Sequence, residues 1–150
     1  MLSRQMEKNC EQRPKILVAD RNPNIRSFLK RELSSEGYEV IPVADGRELV
    51  EAISREDCPS LLVIDIDLPL MEGTEILAVI SNRVPSLSVI IHTNLSELRD
   101  DPLCRNALSF IEKGDDIRDL KAAIRKVFAT EHQPSRYTGS LTALRRNAGD

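Results

Sequence analysis

The sequence predicts an α/β protein: a doubly wound, five-stranded parallel sheet with helices on both faces. Three observations predict it. Short aliphatic runs without polar alternation, such as Ile16-Leu17-Val18-Ala19 and Leu61-Leu62-Val63-Ile64, read as strands buried on both faces. These runs alternate with stretches of helical periodicity, the pattern of right-handed parallel crossovers. The runs also end on or beside residues with chemistry, namely Asp20, Asp65, Thr93 and Lys113. Open parallel sheets build their sites at the carboxyl ends of their strands.

The elements follow in order. Residues 1–13 are polar and read as a flexible arm. A first strand covers Lys15 to Ala19. Its helix follows Asn22-Pro23, a capping residue with proline at the first helical position. Ile25, Phe28, Leu29 and Leu33 share one helical face, and Gly37 stops the helix. A second strand covers Glu39 to Val43. Asp45-Gly46 reads as a turn before a helix carrying Leu49, Val50 and Ile53. The third strand is Leu61 to Asp65, and a helix from about Thr74 to Asn82 turns Ile76, Leu77 and Ile80 inward.

A fourth strand runs from Leu87 to His92, with His92 read as a core position. Ser96 to Ala107 has room for a helix, but Asp101-Pro102 interrupts it or delays its start. The fifth strand is Ser109 to Glu112. Asp115 is expected to cap a last helix with Ile117, Leu120, Ile124, Val127 and Phe128 on one face. The pattern therefore sets a domain at residues 14–129 and a polar tail at 130–150, in which Leu141 to Arg146 is compatible with one more helical turn. That tail is too short for a DNA-binding or catalytic output domain.

A chain of 150 residues is the size of one domain, and 41% hydrophobic with 30% charged residues is an ordinary soluble balance. Aromatics are only 3%, so the core must be aliphatic. A net charge of -3 argues against broad attraction to nucleic acid or membrane surfaces. Three cysteines without metal-ligand spacing read as reduced thiols. No apolar run approaches the roughly 20 residues of a membrane span. The N-terminus also lacks the apolar stretch of a signal peptide, so a cytoplasmic protein is expected.

If the strands are parallel neighbours, Asp20, Asp65, Thr93 and Lys113 meet at one edge. Adjacent carboxylates repel and need a cation, either Lys113 or a hard divalent ion such as Mg²⁺. A phosphoryl group on Asp65 would bring about two negative charges. An ammonium about 4 Å away offsets this by on the order of 4 kcal/mol at an effective dielectric near 20. Thr93 can donate to a phosphoryl oxygen. Acyl chemistry is poorly served, because no histidine is placed to activate a serine or cysteine.

Four segments in order, KILVADRNPNIR, PSLLVIDIDLPLMEG, VIIHTN and FIEKG, make the chain resemble a known family. Over residues 14–129 it is similar to the receiver domain of two-component response regulators, chemotaxis-regulator-like and of flavodoxin-like fold. The resemblance implies that Asp65 is the phospho-acceptor and that its donor is a phosphohistidine on a sensor histidine kinase or a histidine phosphotransfer protein. It makes Asp20 the first acid of a metal-binding pair, with Asp65 and the backbone carbonyl of Asp67 as further Mg²⁺ ligands. Thr93 becomes the switch hydroxyl, Lys113 the phosphate-facing lysine, and Phe110 the aromatic that swings inward on activation. The expected function is a single-domain phosphorelay regulator, not an enzyme beyond slow self-dephosphorylation. It would signal by contact with a downstream protein, with a homodimer as a further option, and without nucleic acid or membrane partners.

The sequence departs from the family in places. Arg21 stands where the second acid of the pair belongs. Arginine cannot ligate a metal, so Mg²⁺ binding is expected to be weak or absent unless the Asp67 side chain substitutes. Arg21 can pair with Asp65 or Asp67 or hold a phosphoryl group, and a pair with Asp67 across the mouth of the site is the expectation adopted. Asn94 replaces a small residue, and Gly114 stands where proline is common, which should free that loop. The segment 96–107 falls on the family's output face, so partner choice should be unusual.

Two other functions fit the residues. A pseudo-receiver would keep the fold as a docking module without phosphorylation, because of Arg21. Asp65-Ile66-Asp67 also resembles the nucleophile motif of haloacid-dehalogenase-type phosphatases, although that motif usually opens its domain and the expected later acidic pair is absent.

Overall fold

A computed structural model describes residues 13–131 apart from Glu72. The N-terminal arm and the stretch Leu141 to Arg146 lie outside the described residues. Five strands form one parallel sheet: β1 (Lys15–Ala19), β2 (Glu39–Val43), β3 (Leu61–Ile64), β4 (Ser88–Thr93) and β5 (Ser109–Glu112). Their order is β2-β1-β3-β4-β5, that of the doubly wound flavodoxin-like fold that the family resemblance implies. The α-helices are α1 (Pro23–Ser35), α2 (Gly46–Ile53), α3 (Gly73–Arg83) and α4 (Arg118–Glu131).

Strand periodicity divides the core into two layers. Leu17, Ala19, Leu62, Ile64 and Ile91 face α2 and α3. Ile16, Val18, Leu61, Val63 and Ile90 face α1 and α4, where they meet Leu29, Leu33, Leu120 and Ile124. The same parity places Asp20, Asp65, His92 and Lys113 on the α1/α4 side and Thr93 on the other. Backbone pairing continues one residue past three strands: Asp20 N–H donates to Val43 O (3.1 Å), Asp65 to Ala19 O (2.9 Å) and Lys113 to Thr93 O (3.0 Å). The site residues therefore sit on the lip of the sheet, as rigidly held as the strands.

Three local expectations are corrected. Between β4 and β5 no α-helix forms; Ser96–Leu98 and Cys104–Asn106 are single 3₁₀ turns. Pro102 lacks an N–H, disfavours helical backbone at Asp101, and is followed by a turn in which Asp101 Oδ1 accepts from Leu103 N (2.9 Å). Asp45-Gly46 is a helix start, not a separate turn. Asp45 Oδ1 accepts from Glu48 N (2.8 Å), and the Glu48 carboxylate accepts from Ala44 N (2.7 Å), a variant of the reciprocal cap. The residue serving the start of α4 is Asp116, whose Oδ1 accepts from Arg118 N (3.0 Å), rather than Asp115.

Other local signals hold. Asn22 caps α1 through Asn24 N (2.9 Å), and Gly37 ends that stretch at φ +99°, a conformation only glycine adopts freely. Gly46 permits a close approach: a Cβ there would lie 2.6 Å from Met71 Cβ, and its N–H donates to Pro69 O (3.0 Å). The loop after β3 is thereby fastened to the start of α2.

Candidate functional site

Asp65 leaves β3 buried, with 6% of the residue exposed. Its Oδ1 accepts from the Thr93 hydroxyl (2.7 Å) and from Asp67 N (3.0 Å). Its Oδ2 meets Lys113 Nζ at 2.5 Å. The same ammonium lies 2.7 Å from Asp20 Oδ2. Asp20 is 2% exposed; its Oδ1 accepts from Asn22 N (2.9 Å), and its backbone oxygen accepts from Arg26 (2.7 Å). The four side chains expected to converge do so, and Lys113 bridges both acids.

Taking the Lys113 ammonium out of water disfavours its charge, but hydrogen bonds from it to Asp20 and Asp65 and their negative charges outweigh this. Its pKa is raised above the ordinary 10.5. The Thr93 hydroxyl also accepts from Leu95 N (3.2 Å), which fixes the direction of its proton toward Asp65.

Arg21 and Asp67 form the rim. Arg21 Nη1 lies 3.4 and 3.5 Å from the two Asp67 carboxylate oxygens, with both side chains about half exposed. Asp67 contributes its backbone N–H to Asp65, a role that residue type could not reveal. Phe110 stands apart from the carboxylates, half-buried on β5 against the α2/α3 layer, on the same face as Thr93. Asn94 is exposed at the lip, and a side chain at Gly114 would meet nothing within 4 Å.

Sequence reading missed a clamp on Phe110. The Arg99 guanidinium lies 4.8 Å from the ring centroid, donates to Phe110 O (3.3 Å) and approaches Glu112 (3.6 Å). An arginine and an aromatic eleven positions apart carry no local signal; only the collapse of the 96–107 segment onto β5 joins them.

His92 lies on β4 level with Asp65, 5% exposed, and its Nδ1 has no hydrogen-bond partner among the described residues. Burial holds its pKa below the ordinary 6.5, aided by the Lys113 charge and opposed by Asp20 and Asp65. The unfolded chain therefore takes up this proton first, so His92 costs stability as pH falls below 6.5. Urea unfolding from about pH 7 to about pH 5 should show a shallower stability loss for His92→Val than for the parent. Identical slopes would show that His92 is not held neutral.

The donor set is a poor fit for a hard divalent ion. Among the described residues no group of three or more His, Cys, Asp or Glu is placed to hold a metal. The Oδ2 atoms of Asp20 and Asp65 share the Lys113 ammonium, and the Asp67 carboxylate is turned to Arg21.

Residues 16–125 match the family model of the response regulator receiver domain. The chain belongs to that family. This receiver domain is 31% identical over 114 residues to sporulation initiation phosphotransferase F of Bacillus subtilis, covering 75% of this chain and 91% of that protein. Among solved structures it resembles response regulator TrrA of Thermotoga maritima in complex with Mg²⁺-BeF, at TM-score 0.71 and 31% identity, over 75% of this chain and 97% of that one. A CheY-like receiver domain protein of Methanospirillum hungatei superposes at TM-score 0.73 with 32% identity, over 81% and 99% of the two chains. Two other curated relatives, both transcriptional regulators, are spanned over 66% and 48% of their own length. The receiver domain is thus a two-component phosphorelay module with the flavodoxin-like fold.

Proposed function

We propose that this receiver domain accepts a phosphoryl group on Asp65 from a phosphohistidine, carried by a sensor histidine kinase or a histidine phosphotransfer protein. The observation that carries the reading is Asp65 itself: a carboxylate at a strand end, held on one side by Thr93 and on the other by Lys113. An Asp65 oxygen attacks phosphorus, the P–N bond breaks, and its electron pair returns to the imidazole nitrogen. An acyl phosphate remains on Asp65. Lys113 and Thr93 are placed to pass from the carboxylate to the new phosphoryl oxygens, trading one acceptor for a more highly charged one. Thr93 and Phe110 share a sheet face, so movement of the hydroxyl toward phosphate opens space on the side where the ring packs. The kinase partner is supported by the solved complex of TrrA with histidine kinase ThkA.

Output on this reading is protein contact in the cytoplasm, with a downstream protein or a second copy, and without nucleic acid or membrane. The surface beside β5 supports it: Leu103 (37%) and Leu108 (60%) stand exposed where the segment between β4 and β5 forms only 3₁₀ turns. Mg²⁺ is held weakly or not at all, because Arg21 replaces an acidic ligand. The haloacid-dehalogenase-type reading is not favoured, since the Asp67 carboxylate faces Arg21 instead of standing free as an acid/base. The pseudo-receiver reading draws on one observation, that Lys113 already balances both buried acids.

One experiment decides between them. The protein is incubated with phosphoramidate and Mg²⁺, and its intact mass is followed. One phosphoryl adduct is expected on the parent and none on Asp65→Asn. An unmodified parent would favour the docking module, and an adduct surviving in Asp65→Asn would move the acceptor elsewhere.

A further inference from the structure

We infer that Arg21 takes the place of the divalent cation, so that Asp65 accepts phosphate without a metal. The inference rests on the phospho-acceptor reading and deepens it. A dianionic phosphoryl group approaching two buried carboxylates needs positive charge on the open side of the site. Lys113 supplies one cation from within, but it is shared between Asp20 and Asp65. The donor set at the mouth does not suit a metal, as described above. What stands there instead is a guanidinium.

Its anchoring suits the task. The backbone on both sides of Arg21 is pinned, by Asn22 N–H on Asp20 Oδ1 (2.9 Å) and by Arg26 on Asp20 O (2.7 Å). The side chain thus projects from a fixed base. Its resting partner is Asp67, whose own N–H is 3.0 Å from Asp65 Oδ1, so Asp67 joins the guanidinium to the acceptor carboxylate. The Arg21–Asp67 contacts of 3.4 and 3.5 Å are longer than the roughly 2.7–2.9 Å of a tight charge-assisted bond. With both side chains 55–56% exposed, the pair is easily given up.

Phosphate offers a better partner. Its oxygens accept the guanidinium fork in parallel bonds, a geometry that arginine matches and lysine does not. Charge counting points the same way. Asp20, Asp65 and Asp67 against Lys113 and Arg21 leave one net negative charge; an acid at position 21 would leave three, which only a divalent ion could offset. With acetyl phosphate as donor, an Asp65 oxygen attacks phosphorus, the bond to the acetate oxygen breaks, and acetate leaves with the electron pair. Arg21 neutralises the phosphoryl oxygens throughout, and the same charge then holds the acyl phosphate.

The test is the rate of adduct formation on the whole chain with acetyl phosphate, followed by intact mass in excess EDTA and in excess Mg²⁺. The parent is expected to react in EDTA within about threefold of its rate in Mg²⁺. Removing one such charged donor should slow the reaction on the order of 10²-fold, so Arg21→Gln should fall by that amount in both conditions. Arg21→Asp should fall in EDTA and recover in Mg²⁺, with a Mg²⁺ affinity above that of the parent by direct titration. A parent that reacts at least about tenfold faster in Mg²⁺ than in EDTA would overturn the inference and leave the phospho-acceptor reading standing. No adduct on parent or Arg21→Asp, with or without Mg²⁺, would overturn both. Should a variant fail to fold, the parent's own metal dependence still decides.

Discussion

Replacing Lys113 with methionine is expected to destabilise the protein by about 3–5 kcal/mol at neutral pH, the usual cost of stranding a buried charge. Two charges are stranded here. Asp20 and Asp65 are 2% and 6% exposed, and both Oδ2 atoms rest on the one ammonium. Methionine fills a similar volume, so the loss reports charge rather than a cavity. Adding Asp65→Asn to the same chain removes one of the repelling carboxylates and should recover part of the loss. The pH dependence follows from the raised Lys113 pKa. The ammonium stabilises the fold fully below 10.5, and that contribution is lost as pH climbs past its own higher value. The gap between parent and variant should persist from neutral pH to about pH 10 and close only in stronger alkali. Urea unfolding measures all three quantities. A Lys113→Met protein within about 1 kcal/mol of the parent at neutral pH would show that the carboxylates do not depend on this cation.

The second large effect is expected at a residue with no side chain. Gly46→Ala should cost about 1–3 kcal/mol, as overpacking does. At an open helix start the exchange would be neutral or favourable, because alanine is the better helix former. Here the new Cβ would sit 2.6 Å from Met71 Cβ, too near the backbone of the loop to be relieved by rotating a side chain. The loop cannot retreat cheaply, since Gly46 N–H holds Pro69 O at 3.0 Å and Leu70 already occupies φ +69°, strained for a residue with a Cβ. Met71→Gly removes the opposing atom at a packing cost of its own, so Gly46→Ala should cost little when added to that variant. In a thermodynamic cycle, a coupling energy near zero would refute the steric account.

Much of the site was legible because its signals are local. An aliphatic run followed by an acid marks both Asp20 and Asp65, and a parallel sheet admits few ways to arrange such strand ends. Asn22-Pro23 marks the start of α1 as clearly as any structure could. Arg21 beside Asp20 announced an altered charge balance, but position left both Asp65 and Asp67 open as its partner, and only the structure places the guanidinium against Asp67. Other features were not legible. Asp101-Pro102 showed a weakened helix, but not that two 3₁₀ turns would replace it or that Arg99 would come to lie over Phe110. The cap of α4 was one residue off, Asp115 being read for Asp116, and Asp45-Gly46 was read as a turn where it starts a helix; both distinctions need the backbone direction, which sequence does not carry. His92 read correctly as a core position, yet its orphaned nitrogen beside Asp65 depends on strand register.

The amino-acid sequence by itself determined the order of strands and helices, the aliphatic core and the identity of the charged groups at the strand ends. Periodicity and capping are written in neighbours a few positions apart. Only the tertiary structure decided how those charges are shared. That Lys113 spans two acids, that Asp67 turns its amide inward and its carboxylate outward, and that a glycine touches Met71 all depend on distances between segments far apart in the chain. Electrostatic and packing energies vary steeply over an ångström, and no local pattern of residues specifies an ångström between distant segments.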